Sequence, residues 1–191
     1  MSHTEFYERQ YQSFGQSPKT LGWRSQERQE KRFLMIDLFT SYKQMSILDV
    51  GCGFADLYPY LKTHHDPFTY TGLDHWDRAI SICKKRFPEL SFIHDDLRSY
   101  SPKTDFDVCI GSGILSQLDG YDPCFRMIDT LFSWSSFGTV FNLLSLHATN
   151  KDPQFYYYDP AKILSYCLTL TPYVSVHHHY LENDFTIWMY R

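Results

Sequence analysis

The run Ile47-Leu48-Asp49-Val50-Gly51-Cys52-Gly53-Phe54-Ala55 constrains this chain more than any other stretch. It joins a short apolar strand to a glycine turn and sets an acid near the strand's end. Glycine reaches positive φ and lets the backbone approach a ligand with no Cβ between them. In doubly wound α/β sheets the crevice at the carboxyl end of the first strand is the binding place, so the run predicts room for an adenosine-containing ligand. A dinucleotide fingerprint would carry a third glycine where Asp56 stands, with the helix start facing a pyrophosphate. An aspartate puts negative charge there and disfavours phosphate.

The remaining pattern is that of one α/β domain. A chain of 191 residues falls near single-domain size. Ser25 to Tyr42 reads as a helix with Phe33, Ile36, Leu38 and Phe39 on its apolar stripe. After the glycine turn, Asp56 can cap a helix running to about Thr63, with Pro59 in its first turn. Tyr70 to Leu73 makes a second strand ending at Asp74, followed by a helix from Asp77 to Phe87 that Pro88 stops. Leu90 to Ile93 and Phe106 to Ile110 give the third and fourth strands, and Gly138 to Leu144 the fifth. Asp122-Pro123 and Asp159-Pro160 each read as an N-cap with proline at the first helical position. Tyr173 to Tyr180 and Phe185 to Tyr190 alternate as two antiparallel strands joined through Glu182-Asn183-Asp184. The amino-terminal arm shows neither period and is expected to be a loop.

Composition excludes several classes. A net charge of −4 argues against a protein that grips nucleic acid by its phosphates, which needs clustered Lys and Arg. The longest basic cluster, Lys84-Lys85-Arg86, is one turn of a helix and reads as a solvated face. The five cysteines, Cys52, Cys83, Cys109, Cys124 and Cys167, form no Cys-x-x-Cys pair and read as reduced core thiols. No run approaches the ~18 apolar residues that span a bilayer, and Met1 to Ser13 lacks a signal-peptide apolar region. No membrane partner and a cytoplasmic location are therefore expected.

Asp49 to Gly53 has the form Asp-x-Gly-x-Gly and resembles the first motif of the class I S-adenosylmethionine-dependent methyltransferases, a resemblance that extends along most of the chain. It implies a doubly wound, mostly parallel seven-stranded sheet with helices on both faces and a carboxyl-terminal antiparallel hairpin. It also implies one methyltransferase domain over residues 1–191, with residues 1–42 as an arm and helix capping the site. The implied cofactor, S-adenosyl-L-methionine, carries no phosphate, so an acid at the helix start is harmless. The family often has a third glycine where this chain has Ala55, and alanine leaves less room beside the methionine part.

The resemblance and the residues together assign the binding roles. A carboxylate can accept both ribose hydroxyls, and Asp74 stands at a strand's carboxyl end near the ~20-residue spacing of a ribose-reading acid. A helix-capping role for Asp74 competes with that reading. His75 rims the same strand end, and Trp76 could stack on the adenine or simply pack in the core. Asp96 with Leu97 matches the family's adenine-reading pair, with Asp95 as the fallback. Gly111 and Ser112 lie where the fourth strand meets the cofactor's amino group, opposite Gly51, Cys52 and Gly53. Asp49 is read as binding, orienting the glycine loop and reaching the amino group. Arg24, Arg28 and Arg32 are candidate donors to the methionine carboxylate, although each also reads as an exposed helix charge.

Methyl transfer asks a protein mainly to align the acceptor and exclude water. No catalytic constellation stands out; His75, His94, Ser112 and His147 fall near strand ends that should rim the site, and His147, after the fifth strand, is chosen from them as the candidate base. An Asn/Asp-Pro-Pro-Tyr sequence, the family mark of methylation at planar or exocyclic nitrogens, is missing after the fourth strand. Gly111-Ser112-Gly113-Ile114-Leu115 is nearer the pattern of small-molecule members. Three consecutive strand residues point to alternate faces, so His177-His178-His179 cannot converge on one metal ion, and no metal is expected. Tyr156-Tyr157-Tyr158 with Phe6, Tyr7, Tyr11 and Trp23 could wall an acceptor pocket, or pack the leading helix and hairpin. The expectation is an enzyme that methylates a small-molecule acceptor. The alternatives are a protein methyltransferase that relies on a partner for recognition and a silent cofactor-binding module.

Overall fold

The computed structural model describes residues 3–97 and 99–191. Seven strands form one sheet: β1 (Ser46–Val50), β2 (Thr69–Asp74), β3 (Ser91–His94), β4 (Phe106–Gly111), β5 (Ser135–Leu144), β6 (Val174–His177) and β7 (Asp184–Tyr190). Their order is β3-β2-β1-β4-β5-β7-β6, and only β7 runs against the rest. The order reverses between β1 and β4, which places the switch-point crevice beside the glycine turn.

Strand alternation sends side chains to two cores. Ile47, Tyr70, Val108, Ile110 and Val140 pack under helices α2 (Gln26–Asp37), α3 (Leu57–His65) and α4 (Asp77–Arg86). Leu48, Val50, Cys109, Phe141 and Ile187 pack under α5 (Tyr121–Ser133) and α6 (Pro160–Cys167). All five cysteines are buried and free.

Several local expectations change. The amino-terminal arm is not a loop: α1 (His3–Phe14) is followed by a 3-10 turn at Pro18–Leu21. The helix α2 starts at Ser25, whose hydroxyl accepts the Arg28 N–H, but stops at Asp37, and Leu38 is exposed rather than on the apolar stripe. Asp56 is itself helical and does not cap α3; its carboxylate pairs with Arg86 at 2.6 Å. Gly120 precedes α5, so Asp122 falls inside the first turn. Asp159 does cap α6, accepting the Ala161 N–H at 2.8 Å. The strand β6 is shorter than alternation suggested, and His178 and His179 lie beyond it.

Candidate functional site

The floor of the site is the end of β1 and the turn after it. Gly51 has φ of +69°, and an added Cβ would lie 2.2 Å from Ile114 Cγ2. Only glycine fits a backbone that is both left-handed and in such close contact. Gly53 donates its backbone N–H to Asp74 Oδ2, and Trp76 donates to Asp74 Oδ1, both at 2.9 Å. Asp74 therefore ties the glycine turn to the end of β2. It is buried, and burial raises its pKa against the opposing backbone hydrogen bonds from Trp76 and Gly53. His75 stands exposed at the rim, with Nδ1 3.6 Å from Asp74 Oδ1.

Asp49 is buried beneath the turn and accepts a hydrogen bond from the Tyr70 hydroxyl. Burial pushes its carboxyl up to about 7, Tyr70 opposes the rise, and the charges of Asp74 and Asp56 add to it. Asp49, Gly51, Cys52, Gly53 and Asp74 all line a single cavity of about 360 Å³. Cys52 stays protonated, its pKa raised by its hydrogen bond with Cys83 and by burial.

On the β3 and β4 side the cavity is lined by Asp95, Asp96, Leu97 and Ser112. Asp95 Oδ1 accepts the Asp96 N–H at 2.7 Å and the Ser99 hydroxyl at 3.0 Å, the pattern of a turn acid. Gly111 is buried beneath Leu131 and Ile114 and does not line the cavity; the wall begins one residue later. Asn142 holds this wall in place: its Oδ1 accepts the Gly113 N–H at 2.9 Å and its Nδ2 donates to Ser112 Oγ at 3.3 Å.

The roof comes from the amino-terminal segments. The Trp23 ring lies over Gly113, where an added Cβ would meet it at 2.5 Å. Arg32 stacks on Trp23 at 4.5 Å and donates from Nε to Asp184 Oδ1 at 2.8 Å. Arg28 donates to Asn183 Oδ1 at 3.0 Å. These two pairs fasten α2 to the start of β7, and both arginines with Arg24, Asn183 and Asp184 line the cavity. Among the described residues, seven aspartates line the cavity against three arginines, so its field favours cationic ligands.

The structure also places His147, Trp76, Ala55 and the three consecutive tyrosines. His147 is exposed in a turn outside the cavity, near His178 at 6.3 Å between rings, which removes the candidate base. Trp76 touches the cavity, and its buried indole stacks on Tyr7 and packs against Tyr11 and Phe54, the packing alternative of its two readings. Ala55, at φ of +57°, is buried away from the cavity and does not crowd it. Of the three consecutive tyrosines only Tyr157 lines the cavity; Tyr158 is fully buried and donates to the Leu115 carbonyl.

Sequence reasoning did not assign site roles to Asn142, Asn183 or Asp184. The signal was present for Asn142, a lone amide inside the apolar run Phe141 to Leu144. Among the described residues, the one group with metal-ligand spacing is Asp37, His64 and His65. Both rings are satisfied by hydrogen bonds to Asp37 Oδ1, and the group lies outside the cavity.

Comparison with known proteins places this architecture. Residues 47–131 match the sequence model of the methyltransferase-domain family. The fold is similar to that of the N-methyltransferase NodS from Bradyrhizobium japonicum WM9 in complex with S-adenosyl-L-homocysteine, with a TM-score of 0.73 and 18% identity over 100% of this chain and 99% of that one. It is also similar to magnesium protoporphyrin IX methyltransferase from Synechocystis PCC 6803 with bound S-adenosylmethionine, with a TM-score of 0.67 and 14% identity over 98% and 92% of the two chains. No curated protein matches the chain by sequence.

Proposed function

We propose that this chain, which matches the methyltransferase-domain model over residues 47–131 and has the fold of S-adenosylmethionine-dependent methyltransferases, is an enzyme that methylates a small metabolite. The carrying observation is Asp74, a carboxylate at the end of β2 tied to the Gly53 amide beside the cavity. S-adenosylmethionine fits the donor set: Asp74 would hold the ribose, Asp96 and the Leu97 amide the adenine, and Asp49 with the backbone of Gly51 and Ser112 the amino group. Arg24 and Arg28 would serve the methionine carboxylate. The acidic lining suits a ligand carrying a sulfonium and an ammonium.

The bound cofactor supplies the methyl group as an electrophile on sulfur. The chain's own part is alignment and exclusion of water, which can be worth roughly 7–11 kcal/mol. Trp23 and Arg32 roof the cavity, Asn142 fixes the Gly113 wall, and Asp184 and Asn183 close its far end. The cavity of about 360 Å³ is of a size that holds a small-molecule ligand.

Titration calorimetry with S-adenosylmethionine and S-adenosylhomocysteine tests the cofactor half. Methyl release against small metabolites and against cell extract tests the acceptor half. Binding without consumption of any acceptor would support a silent binding module, and consumption of extract protein alone would support a protein methyltransferase.

A further inference from the structure

Gln29 is 4% exposed, and neither polar atom of its side-chain amide meets a hydrogen-bond partner among the described residues. Neither atom is sealed off, unlike Ser17 Oγ, His177 Nε2 and Asp184 Oδ2, which are buried without partners. The amide therefore opens onto the space that Gln29 lines. That space is the site cavity and a smaller hollow of about 340 Å³, and Phe33 and Asp56 line both with it. A buried amide left unpaired is costly, and such groups are ordinarily satisfied.

Helix register fixes where Gln29 stands. The helices α2 and α3 run side by side: Asp37 meets His64 and His65, and one turn earlier the rings of Phe33 and Tyr60 lie 5.6 Å apart. One more turn back along both helices, Gln29 falls level with Asp56, the residue before α3, at the close of the glycine turn. A helix start favours an anion, and Arg86 pairs with Asp56 at 2.6 Å, so the aspartate does not cancel that preference.

Donors are scarce on this side of the cavity. Its aspartates can take an ammonium, whereas Arg32 is committed to Asp184 and Arg28 to Asn183. Gln29 Nε2 is a buried donor with both hydrogens uncommitted, on the face of α2 that it shares with Arg28, Arg32 and Phe33.

We propose that Gln29 is a further cofactor-binding residue that reads the amino-acid end of S-adenosylmethionine, with Nε2 donating to the methionine carboxylate. The contact supplies a donor without a new charge, so it leaves the Arg32–Asp184 and Arg86–Asp56 pairs undisturbed. It touches no part of the adenosine. Nucleosides that lack the amino-acid end therefore gain nothing from Gln29, and the chain without ligand carries the cost of the unpaired amide.

This inference rests on the proposed methyltransferase reading, and the test separates the two. Calorimetry on the full chain compares S-adenosylhomocysteine with 5′-methylthioadenosine, which keeps the adenosine and the sulfur and lacks the amino-acid end. Gln29→Met, close in shape and without the amide, should weaken S-adenosylhomocysteine binding roughly ten- to hundredfold and leave 5′-methylthioadenosine unchanged. Its melting temperature without ligand should equal or exceed the parent's, because an unpaired amide leaves the interior. Gln29→Glu sets one carboxylate against another and should lose more S-adenosylhomocysteine affinity than Gln29→Met. No binding of S-adenosylhomocysteine by the unaltered chain would sink the methyltransferase reading. With that binding intact, an unchanged affinity in Gln29→Met, or an equal loss for both ligands, would overturn the assignment of Gln29 alone. Where both variants fail to fold, nuclear magnetic resonance of the unaltered chain decides: the Gln29 side-chain amide signals should move with S-adenosylhomocysteine and stay in place with 5′-methylthioadenosine, and the same response to both overturns the assignment.

Discussion

Gly53 donates its backbone N–H to Asp74 Oδ2 at 2.9 Å, so the carboxylate proposed to hold the ribose also holds the glycine turn in shape. From sequence alone, Asp74→Ala would weaken cofactor binding and barely touch the melting temperature. The structure changes that expectation, because Trp76 donates to the same carboxylate and both amides would lose their acceptor. Asp74→Ala should cost about 1–3 kcal/mol of stability and about 1.5–3 kcal/mol of cofactor affinity. Asp74→Asn, which keeps one acceptor oxygen, should lose less stability than affinity. Chemical denaturation and calorimetry on both variants check this, and an alanine variant matching the parent in both measurements would remove Asp74 from either role.

Asp49 makes stability pH-dependent. Burial raises its carboxyl from 3.8 to about 7 in the folded protein. Between those values the folded chain binds more protons than the unfolded chain, so stability falls as pH rises through the window. Burial gives Asp74 a shift of the same sign. Asp49→Asn should flatten the slope while leaving the Tyr70 hydroxyl an acceptor. Denaturation midpoints measured across the window check the sign; a parent protein that gains stability with pH there would contradict it.

Gly51→Ala should be destabilising for two separable reasons. The left-handed backbone at φ of +69° costs a side chain about 1–2 kcal/mol, and the contact with Ile114 Cγ2 adds about 1–3 kcal/mol of overpacking. Pairing it with Ile114→Ala should recover the second part and not the first. A double-mutant cycle by urea denaturation reads the difference. Simple additivity of the two changes would show that the contact is not what excludes the methyl group.

Removing residues 1 to 20 should leave the sheet folded and abolish methyl transfer. Tyr7 and Tyr11 cover Trp76, and Glu8 accepts its indole N–H at 2.8 Å while pairing with Arg78. The truncation uncovers that ring, so tryptophan fluorescence should shift to the red. Hydrogen exchange in α1 of the intact chain should slow when S-adenosylhomocysteine is added. Full turnover by the truncated protein would reduce α1 to packing.

The sheet and the glycine turn were legible because their signals are local: an apolar run, glycines and an acid within nine residues, then alternating periods. The helix α1 was not, because its half-buried inner face is made of tyrosines among polar residues and no Ala or Leu pattern announces it. Asp56 and Asp122 looked like caps, yet a partner in Arg86 and a turn at Gly120 outweighed the local preference. His147 was placed by its distance from the fifth strand, and a turn carried it outside. The far wall of the cavity was hidden for a different reason: Arg32 and Asp184 are 152 residues apart, and no window along the chain holds both.

That separation also has a consequence in time. A polypeptide is made from its amino end, and β6, although made before β7, joins the sheet only through β7, which lies between it and β5. A growing chain thus assembles β1 to β5 and the glycine turn while Arg32 still waits for its carboxylate. The glycine-turn side of the cavity can thus take shape before its opposite wall, which waits for a contact of long reach along the chain.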